Sequence, residues 1–206
     1  MRVNYQILME LDHKSIVKGK YLFMDEKRLT CQLVVEYFDY PDLSHYLKEK
    51  KPLEEREASE ILFLLLDCLK YLREKGVCHR DIKPENILYD PDTKTLKLID
   101  FELARMIRYS HEKLELLSKC GTLSYRAPES FKGNYGIPVD MWALGVVAFE
   151  LLTGVHPFKT GYAKDTIEKI CTHELSFDDY DDLSPCAVKF LEKTLEKNPK
   201  KRLVPE

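Results

Sequence analysis

The chain has 206 residues, 44% of them hydrophobic and 33% charged, and its 32 basic and 35 acidic residues leave a net charge of −3. A charge this close to balance gives no electrostatic basis for binding nucleic acid or an anionic membrane surface. One Trp, 12 Tyr and nine Phe residues can bury a core, which excludes a disordered chain. The densest apolar run, residues 141–149, is well short of the roughly 20 residues that cross a bilayer.

The cysteines are widely spaced and form no CxxC pair; they are residues 31, 68, 78, 120, 171 and 186. This spacing is not typical of a zinc site or a disulfide framework. Free thiols in a reducing compartment are the simpler interpretation. We expect a cytoplasmic protein that could also enter the nucleus.

The first half of the chain predicts three elements. Residues 4–12 have apolar side chains at helical spacing, and residues 28–37 are rich in apolar and β-branched types and predict a strand. Residues 38–43 are interpreted as a connector. Residues 54–75 carry an apolar stripe that ends before Gly76, which predicts a long amphipathic helix.

A short hairpin is predicted next. Residues 87–89 and 96–99 are the strands, and residues 90–93 have the composition of a turn. Antiparallel pairing brings Asn86, which precedes the first strand, to the same end as Asp100, which follows the second.

The second half predicts two helices after an irregular, polar stretch at residues 102–124. Residues 138–154 begin with proline, end with glycine and are apolar on nearly every face, which predicts a central buried helix. A last helix is predicted to begin at Ser184-Pro185 and to end at Asn198-Pro199.

The most informative local sequence is HRDIKPEN, residues 79–86. At one end of the hairpin, the Asn86 amide and the Asp100 carboxylate could hold a divalent metal through oxygen ligands. The Asp81 carboxylate and the nearby Lys83 supply a base and a charge that can neutralise phosphate. Taken alone, this segment could equally be a polar loop with solvated charges.

Further motifs follow in order and decide between these interpretations. They are Asp100-Phe101-Glu102, Gly121-Thr122, Ala127-Pro128-Glu129, residues 140–145 (DMWALG) and Arg202. The ordered set resembles the eukaryotic protein kinase family over essentially the whole chain. The resemblance implies an α+β, two-lobed fold with a mainly helical C-terminal lobe at residues 39–206. Residues 1–38 would be the remnant of the N-terminal lobe and the hinge.

The resemblance also implies a reaction, in which the γ-phosphate of ATP passes to a protein hydroxyl with Mg²⁺ as the metal. Asp81 and Lys83 take the catalytic roles, and Asn86 and Asp100 are the metal ligands. A lysine two positions after the catalytic aspartate is similar to the serine/threonine branch. The segments ELLTGVHPF and LSPCAVKFLEKTLEKNPKKRL are similar to the calcium/calmodulin-dependent and calcium-dependent kinase group.

Other roles are carried over position by position. The predicted nucleotide-binding residues are Glu36, Phe38, Asp42 and Leu88. The predicted substrate-recognition residues are Glu85, which favours a basic substrate, and Thr122. The predicted regulatory residues are Ser118, as an activating phosphorylation site, and its charge partners Arg80 and Arg105. The predicted structural residues are His79, Phe101, Glu129, Asp140 and Arg202.

The sequence departs from the family pattern in several places. No glycine-rich loop or strand lysine precedes residue 20, Asn4 aligns with the glutamate that pairs with that lysine, and Glu102 replaces a glycine. We therefore expect residues 1–206 alone to be inactive or very weak. Glu102 is expected to lack the backbone freedom of the family glycine.

Two functional hypotheses remain at this point. One is a serine/threonine kinase represented by an incomplete chain, and the other is a non-catalytic pseudokinase that acts as an interaction module. A metal-binding hydrolase is a distant third. The chain holds no EF-hand loop or basic calmodulin-target helix, so calcium or calmodulin control would act only through segments outside it.

Overall fold

The computed structural model describes residues 2–25, 27–28, 30–107, 114–115 and 120–205, without the side chains of residues 2–4, 114–115 and 134. The helices are α1 (Arg2–Glu10), α2 (Leu43–Glu49), α3 (Glu55–Glu74), α4 (Pro138–Thr153), α5 (Ala163–Thr172) and α6 (Pro185–Thr194). The strands are β1 (Gly19–Asp25), β2 (Thr30–Val35), β3 (Val77–Cys78), β4 (Ile87–Asp90), β5 (Thr95–Leu98), β6 (Arg105–Met106), β7 (Leu114–Glu115) and β8 (Asn134–Tyr135). Within the described ranges, no helix is both long and apolar enough to span a membrane.

The described strands form four two-stranded antiparallel ribbons, namely β1–β2, β3–β6, β4–β5 and β7–β8. Strand β2 confirms the predicted strand, whereas its partner β1 was not predicted. Residues 15–17 tie this N-terminal part to the hairpin, because Leu98 donates its N–H to the Ser15 carbonyl and accepts from Val17 N–H.

Helix α4 is the centre of the larger, helical part, as its uniform apolarity predicts. It packs against α3 and α6, and thirteen of its residues from Val139 to Leu152 are buried. Trp142 stacks on Phe158 with ring centroids 5.3 Å apart. Gly154 ends the helix in the left-handed region at φ 73°, which a residue without a Cβ adopts at no steric cost.

The predicted antiparallel hairpin is confirmed, with Asp90 in its first strand and not in the turn. Strands β4 and β5 pair antiparallel with Ile87 opposite Leu98, and Ile99 N–H extends the ladder to the Asn86 carbonyl at 2.9 Å. Asn86 and Asp100 therefore lie at the same end of the hairpin.

Three helical segments also differ from the sequence-based predictions. The predicted connector at residues 38–43 runs into helix α2, because Asp42 caps that helix and the pair Leu43 and Leu47 is buried. Helix α5 was not predicted. Helix α6 ends at Thr194 rather than at Asn198, with Leu195 already outside helical geometry at its C-cap.

A buried ion pair fixes the start of α4. Arg202 Nη1 and Nη2 contact the two Glu129 carboxylate oxygens at 2.6 and 2.9 Å, and Arg202 Nη1 also donates to the Pro138 carbonyl at 2.9 Å. The Arg202 side chain is fully buried. Because an unpaired buried charge is strongly destabilising, the two residues stabilise this junction only as a pair.

Candidate active site

The loop that carries Asp81 is anchored from the first turn of α4. Asp140 accepts the backbone N–H groups of His79 at 2.7 Å and of Arg80 at 2.8 Å, one on each carboxylate oxygen. Arg80 has φ 72°, in the left-handed region that non-glycine residues rarely adopt. The two hydrogen bonds to a buried carboxylate hold this strained backbone in place.

His79 joins the anchored loop to the Asp100 segment. Its Nε2 lies 3.1 Å from the Ile99 carbonyl oxygen, and its ring packs edge-on against Phe101 with centroids 4.7 Å apart. Burial lowers the pKa of His79, so the ring is neutral at physiological pH. Because the neutral His79 ring donates to this carbonyl, it holds the loop and the Asp100 segment at a fixed distance from each other.

The Asp81 carboxylate is contacted on both oxygens. Oδ2 lies 2.8 Å from Lys83 Nζ and accepts from Asn86 Nδ2 at 3.0 Å, while Oδ1 accepts the Thr122 N–H at 2.9 Å. Lys83 Nζ also donates to Thr122 Oγ1 at 2.9 Å. Burial disfavours the charged form of Asp81, but the hydrogen bonds from Lys83 and Thr122 outweigh it and lower its pKa. The carboxylate is therefore ionised at neutral pH.

Asn86 and Asp100 supply oxygen atoms beside Asp81. The Asn86 amide nitrogen donates to the carbonyl and to Oδ2 of Asp81, at 2.9 and 3.0 Å, which leaves Asn86 Oδ1 available as a ligand. Asp100 is exposed, and its Oδ1 accepts the Glu102 N–H at 3.2 Å. An amide oxygen and a carboxylate fit Mg²⁺, which takes few protein ligands and completes its coordination with water and phosphate.

Glu102, which replaces the family glycine, does not adopt a left-handed backbone. The positive φ of this segment, 61°, lies two residues earlier at Asp100. Glutamate therefore fits the backbone at position 102 in this structure, although it still lacks the freedom of glycine.

Three of the four predicted nucleotide-binding residues take part in two local contacts. Asp42 and Leu88 are joined by an isolated antiparallel bridge, and the Asp42 carboxylate caps α2 by accepting the His45 N–H at 3.1 Å. Glu36 accepts from Lys97 Nζ at 2.5 Å and from Lys18 N–H at 2.9 Å. These bonds outweigh the effect of burial and lower the Glu36 pKa.

Phe38, the remaining predicted nucleotide contact, packs its ring against Tyr40 at 5.2 Å between centroids. It lies in the segment between β2 and α2 that links Glu36 to Asp42. The four predicted residues thus lie on one connection and on the hairpin strand that it crosses.

A cavity of about 340 Å³ lies beside Thr122 and holds a residue that the sequence analysis missed. Its lining includes the predicted Glu85, which is exposed, and also Glu150 near the end of α4. The Tyr125 hydroxyl donates to Glu150 Oε2 at 2.6 Å. Glu150 and Asp140 are the two charged residues of the otherwise apolar helix 138–154, and this was the available signal for Glu150.

Glu150 is held in an environment that disfavours its charge. Burial raises its pKa, the Tyr125 hydrogen bond acts against this, and the nearby Glu85 charge raises it further. Because the Glu85 charge helps to raise the Glu150 pKa, a cation in this cavity would stabilise the charged form of Glu150.

The predicted regulatory group is only partly within the described residues. Ser118 lies outside them. Asn4, the residue aligned with the family glutamate, is likewise described only as backbone within α1. Arg80 is buried and its Nε donates to the Leu103 carbonyl at 2.5 Å. Arg105 lies in β6, opposite Cys78 of β3.

The α+β fold, its buried helical centre and the loop that α4 anchors are those of the protein kinase class. The family profile of the protein kinase domain matches residues 1–206. The chain belongs to this family, as its motifs predict.

The similar proteins are serine/threonine kinases. Calcium/calmodulin-dependent protein kinase type I of Schizosaccharomyces pombe is 37% identical over 177 residues, covering 83% of this chain and 52% of the relative. Human calcium/calmodulin-dependent protein kinase type IV is 35% identical over 210 residues, covering 98% and 43%. The serine/threonine-protein kinase cds1 of Schizosaccharomyces pombe is 34% identical over 206 residues, covering 96% and 44%. The chain thus spans about half, or less, of each of these relatives.

His156, in the lining of the same cavity, makes stability depend on pH. Its Nδ1 accepts the Phe158 and Lys159 N–H groups at 3.1 and 3.0 Å, and its ring packs edge-on against Tyr125. Burial, with the Lys159 and Lys169 charges, lowers its pKa to about 4. The unfolded chain binds a proton near pH 6.5, so this stability is present above pH 6.5 and is lost as pH falls toward 4.

We expect the His156→Asn variant to lose less stability on acidification than the original protein does. Asparagine can still accept the two N–H groups through Oδ1 but does not titrate. Between pH 7.5 and pH 5 the difference in the loss of unfolding free energy should be about 1–2 kcal/mol. Urea unfolding at both pH values measures it, and identical losses in the two proteins would contradict the prediction.

Proposed function

We propose that this site binds ATP with Mg²⁺ and transfers the γ-phosphate to a serine or threonine hydroxyl of a protein substrate. The observation that carries the proposal is the arrangement around Asp81, which is ionised and contacted by Lys83, Asn86 and the Thr122 N–H. A carboxylate held in this way can orient the substrate hydroxyl and accept its proton, because its own position is fixed before the substrate arrives.

The other side chains of the site complete the proposed reaction. Lys83 would neutralise the transferring phosphoryl group from its place between Asp81 and Thr122. Asn86 and Asp100 would hold Mg²⁺, which would neutralise part of the phosphate charge. Residues 1–38 would contribute part of the nucleotide-binding lobe and residues 39–206 the helical lobe.

The substrate is proposed to carry a basic side chain close to the phosphorylated hydroxyl. Glu85 and Glu150 line the cavity next to Thr122, and Thr122 contacts the catalytic pair. A guanidinium group fits two carboxylates well, because it donates several hydrogen bonds and keeps its charge when buried.

The second candidate function is a pseudokinase that acts as an interaction module. It is favoured by two departures from the family pattern, namely Asn4 at the position of the glutamate that pairs with the strand lysine and Glu102 at the position of a glycine. The two candidates differ in whether Asp81 supports any phosphoryl transfer.

We expect phosphoryl transfer by residues 1–206 to be slow and to require Asp81. Transfer should be far below the roughly 1–100 per second of protein kinases, because no glycine-rich loop or strand lysine precedes residue 20 in this sequence to position the phosphates. Transfer of radiolabelled γ-phosphate to an arginine-containing serine peptide is the assay, with Asp81→Asn as the matched variant.

The outcomes of this assay separate the two candidates. Slow transfer that Asp81→Asn abolishes supports the kinase. No transfer above the Asp81→Asn background supports the interaction module. Rapid, Asp81-dependent turnover would contradict the argument that the phosphates lack positioning.

Nucleotide binding should depend on magnesium through Asp100. Calorimetry with ATP is expected to show binding that magnesium strengthens at least about tenfold, and Asp100→Ala should remove that gain because one of two protein ligands is lost. Asp92→Ala, at the opposite end of the hairpin, is the matched control and should behave like the original protein. Equal, metal-independent binding by the Asp100→Ala variant would rule out the assigned ligands.

The basic-substrate proposal is tested by peptide binding. A labelled serine peptide with arginine should bind more tightly than its alanine counterpart, and Glu150→Gln should reduce that preference about tenfold by removing one half-buried charge partner. Glu74→Gln, an exposed acid at the end of α3, is the control. An unchanged preference in the Glu150→Gln variant would remove Glu150 from the recognition site.

A further inference from the structure

Helix α1 and the segment that carries Asp100 are joined by a long-range side-chain hydrogen bond. The Tyr5 hydroxyl donates to Glu102 Oε1 at 3.1 Å, across 97 positions of sequence. Burial and the Glu102 carboxylate both raise the pKa of Tyr5, so its hydroxyl keeps the proton that makes it a donor. The bond therefore persists across the physiological pH range.

Glu102 is also connected to Asp100 through its backbone. Its N–H donates to Asp100 Oδ1 at 3.2 Å, and Asp100 has the left-handed φ of 61°. Aspartate adopts this conformation more readily than most non-glycine residues, but it is still less favourable than the right-handed region and is stabilised by surrounding contacts. Asp100 is exposed, so few packing contacts are available for this, and the neighbouring Glu102 provides a fixed attachment to α1.

We propose that Glu102 is a positioning residue whose hydrogen bond from Tyr5 holds residues 100–102 in the conformation that presents Asp100 to magnesium and nucleotide. This inference rests on the proposed function, because it takes Asp100 as a metal ligand. It reverses the expectation from the family pattern: returning Glu102 to glycine weakens magnesium-dependent nucleotide binding instead of improving it.

Two physical effects add in the Glu102→Gly variant. The acceptor for Tyr5 is lost, which is worth about 1 kcal/mol, or roughly fivefold in an equilibrium, for a net hydrogen bond. Glycine also widens the backbone freedom next to Asp100, so more conformations compete with the ligand-presenting one. The Glu102→Gln variant separates geometry from charge, because an amide oxygen still accepts from Tyr5.

The test is a titration of a fluorescent ATP analogue, with and without magnesium, into the full chain and its variants. Magnesium-dependent binding should weaken about threefold to tenfold in Glu102→Gly and about threefold in Tyr5→Phe, while Glu102→Gln stays close to the original protein. The Tyr5→Phe/Glu102→Gly double variant should bind no more weakly than Glu102→Gly alone, because the two residues act through one bond. Binding without magnesium should be the same in all of them.

Several results would overturn the inference and leave the proposed function intact. One such result is that the Glu102→Gly variant binds as tightly as the original protein while Asp100→Ala loses the magnesium effect. Another is that Glu102→Gln binds as weakly as Glu102→Gly while Tyr5→Phe binds like the original protein, because the charge alone would then matter. Equal weakening with and without magnesium would show a merely structural role. If Asp100→Ala itself has no effect, the proposed function fails and the inference fails with it.

Discussion

The geometry of the whole site depends on one buried carboxylate. Asp140 projects from the first turn of α4 and binds the N–H groups of His79 and Arg80, one on each oxygen. Asp140 is almost fully buried, and hydrogen bonds to a carboxylate in such surroundings are strong and directional. They compensate for the left-handed backbone at Arg80, and that backbone turn places Asp81 beside the hairpin that carries Asn86.

The position of Asp140 depends in turn on how α4 is held. The helix is apolar on nearly all faces because α3 and α6 cover it, and the Glu129–Arg202 pair binds its first carbonyl at Pro138. A rigid, packed support of this kind explains how an ionised Asp81 can be kept within hydrogen-bond distance of Lys83 and Thr122 without substrate. Such preorganisation is what phosphoryl transfer requires of a protein, since its catalysis is mostly positioning and electrostatics.

Elements with a strong local pattern were predictable from sequence, and those whose reason lies elsewhere in the fold were not. Helix α4 and the β4–β5 hairpin follow from apolar periodicity and turn composition. Strand β1 was missed because Tyr21 and Phe23 leave most of their side chains exposed, so no one-sided apolar pattern marks it. Helix α2 was hidden by its seven-residue length, although Asp42 before it is a good cap.

The site shows the same division between local and distant causes. Asp81, Lys83, Asn86 and Asp100 were found because they lie close together in sequence or flank one hairpin. The contribution of Glu150 depends on Tyr125, 25 residues earlier, and on Glu85 across the cavity, and no local pattern carries either relation. Comparison with the family pattern marked Glu102 as the unusual position of its segment, whereas the left-handed φ lies at Asp100 and could not be read from the residue types.

Helix α4 thus connects the two halves of the site. Asp140 and Glu150 are ten positions apart, which is about 15 Å along a helix axis. An extended peptide covers that distance with roughly four to five residues. Under the proposed function, one end of the helix would fix the loop at which the hydroxyl reacts, and the other end would hold a carboxylate a few substrate residues away. Because both acids project from the same helix, the core of the protein would then fix the spacing between the anchor of the Asp81 loop and the proposed recognition carboxylate.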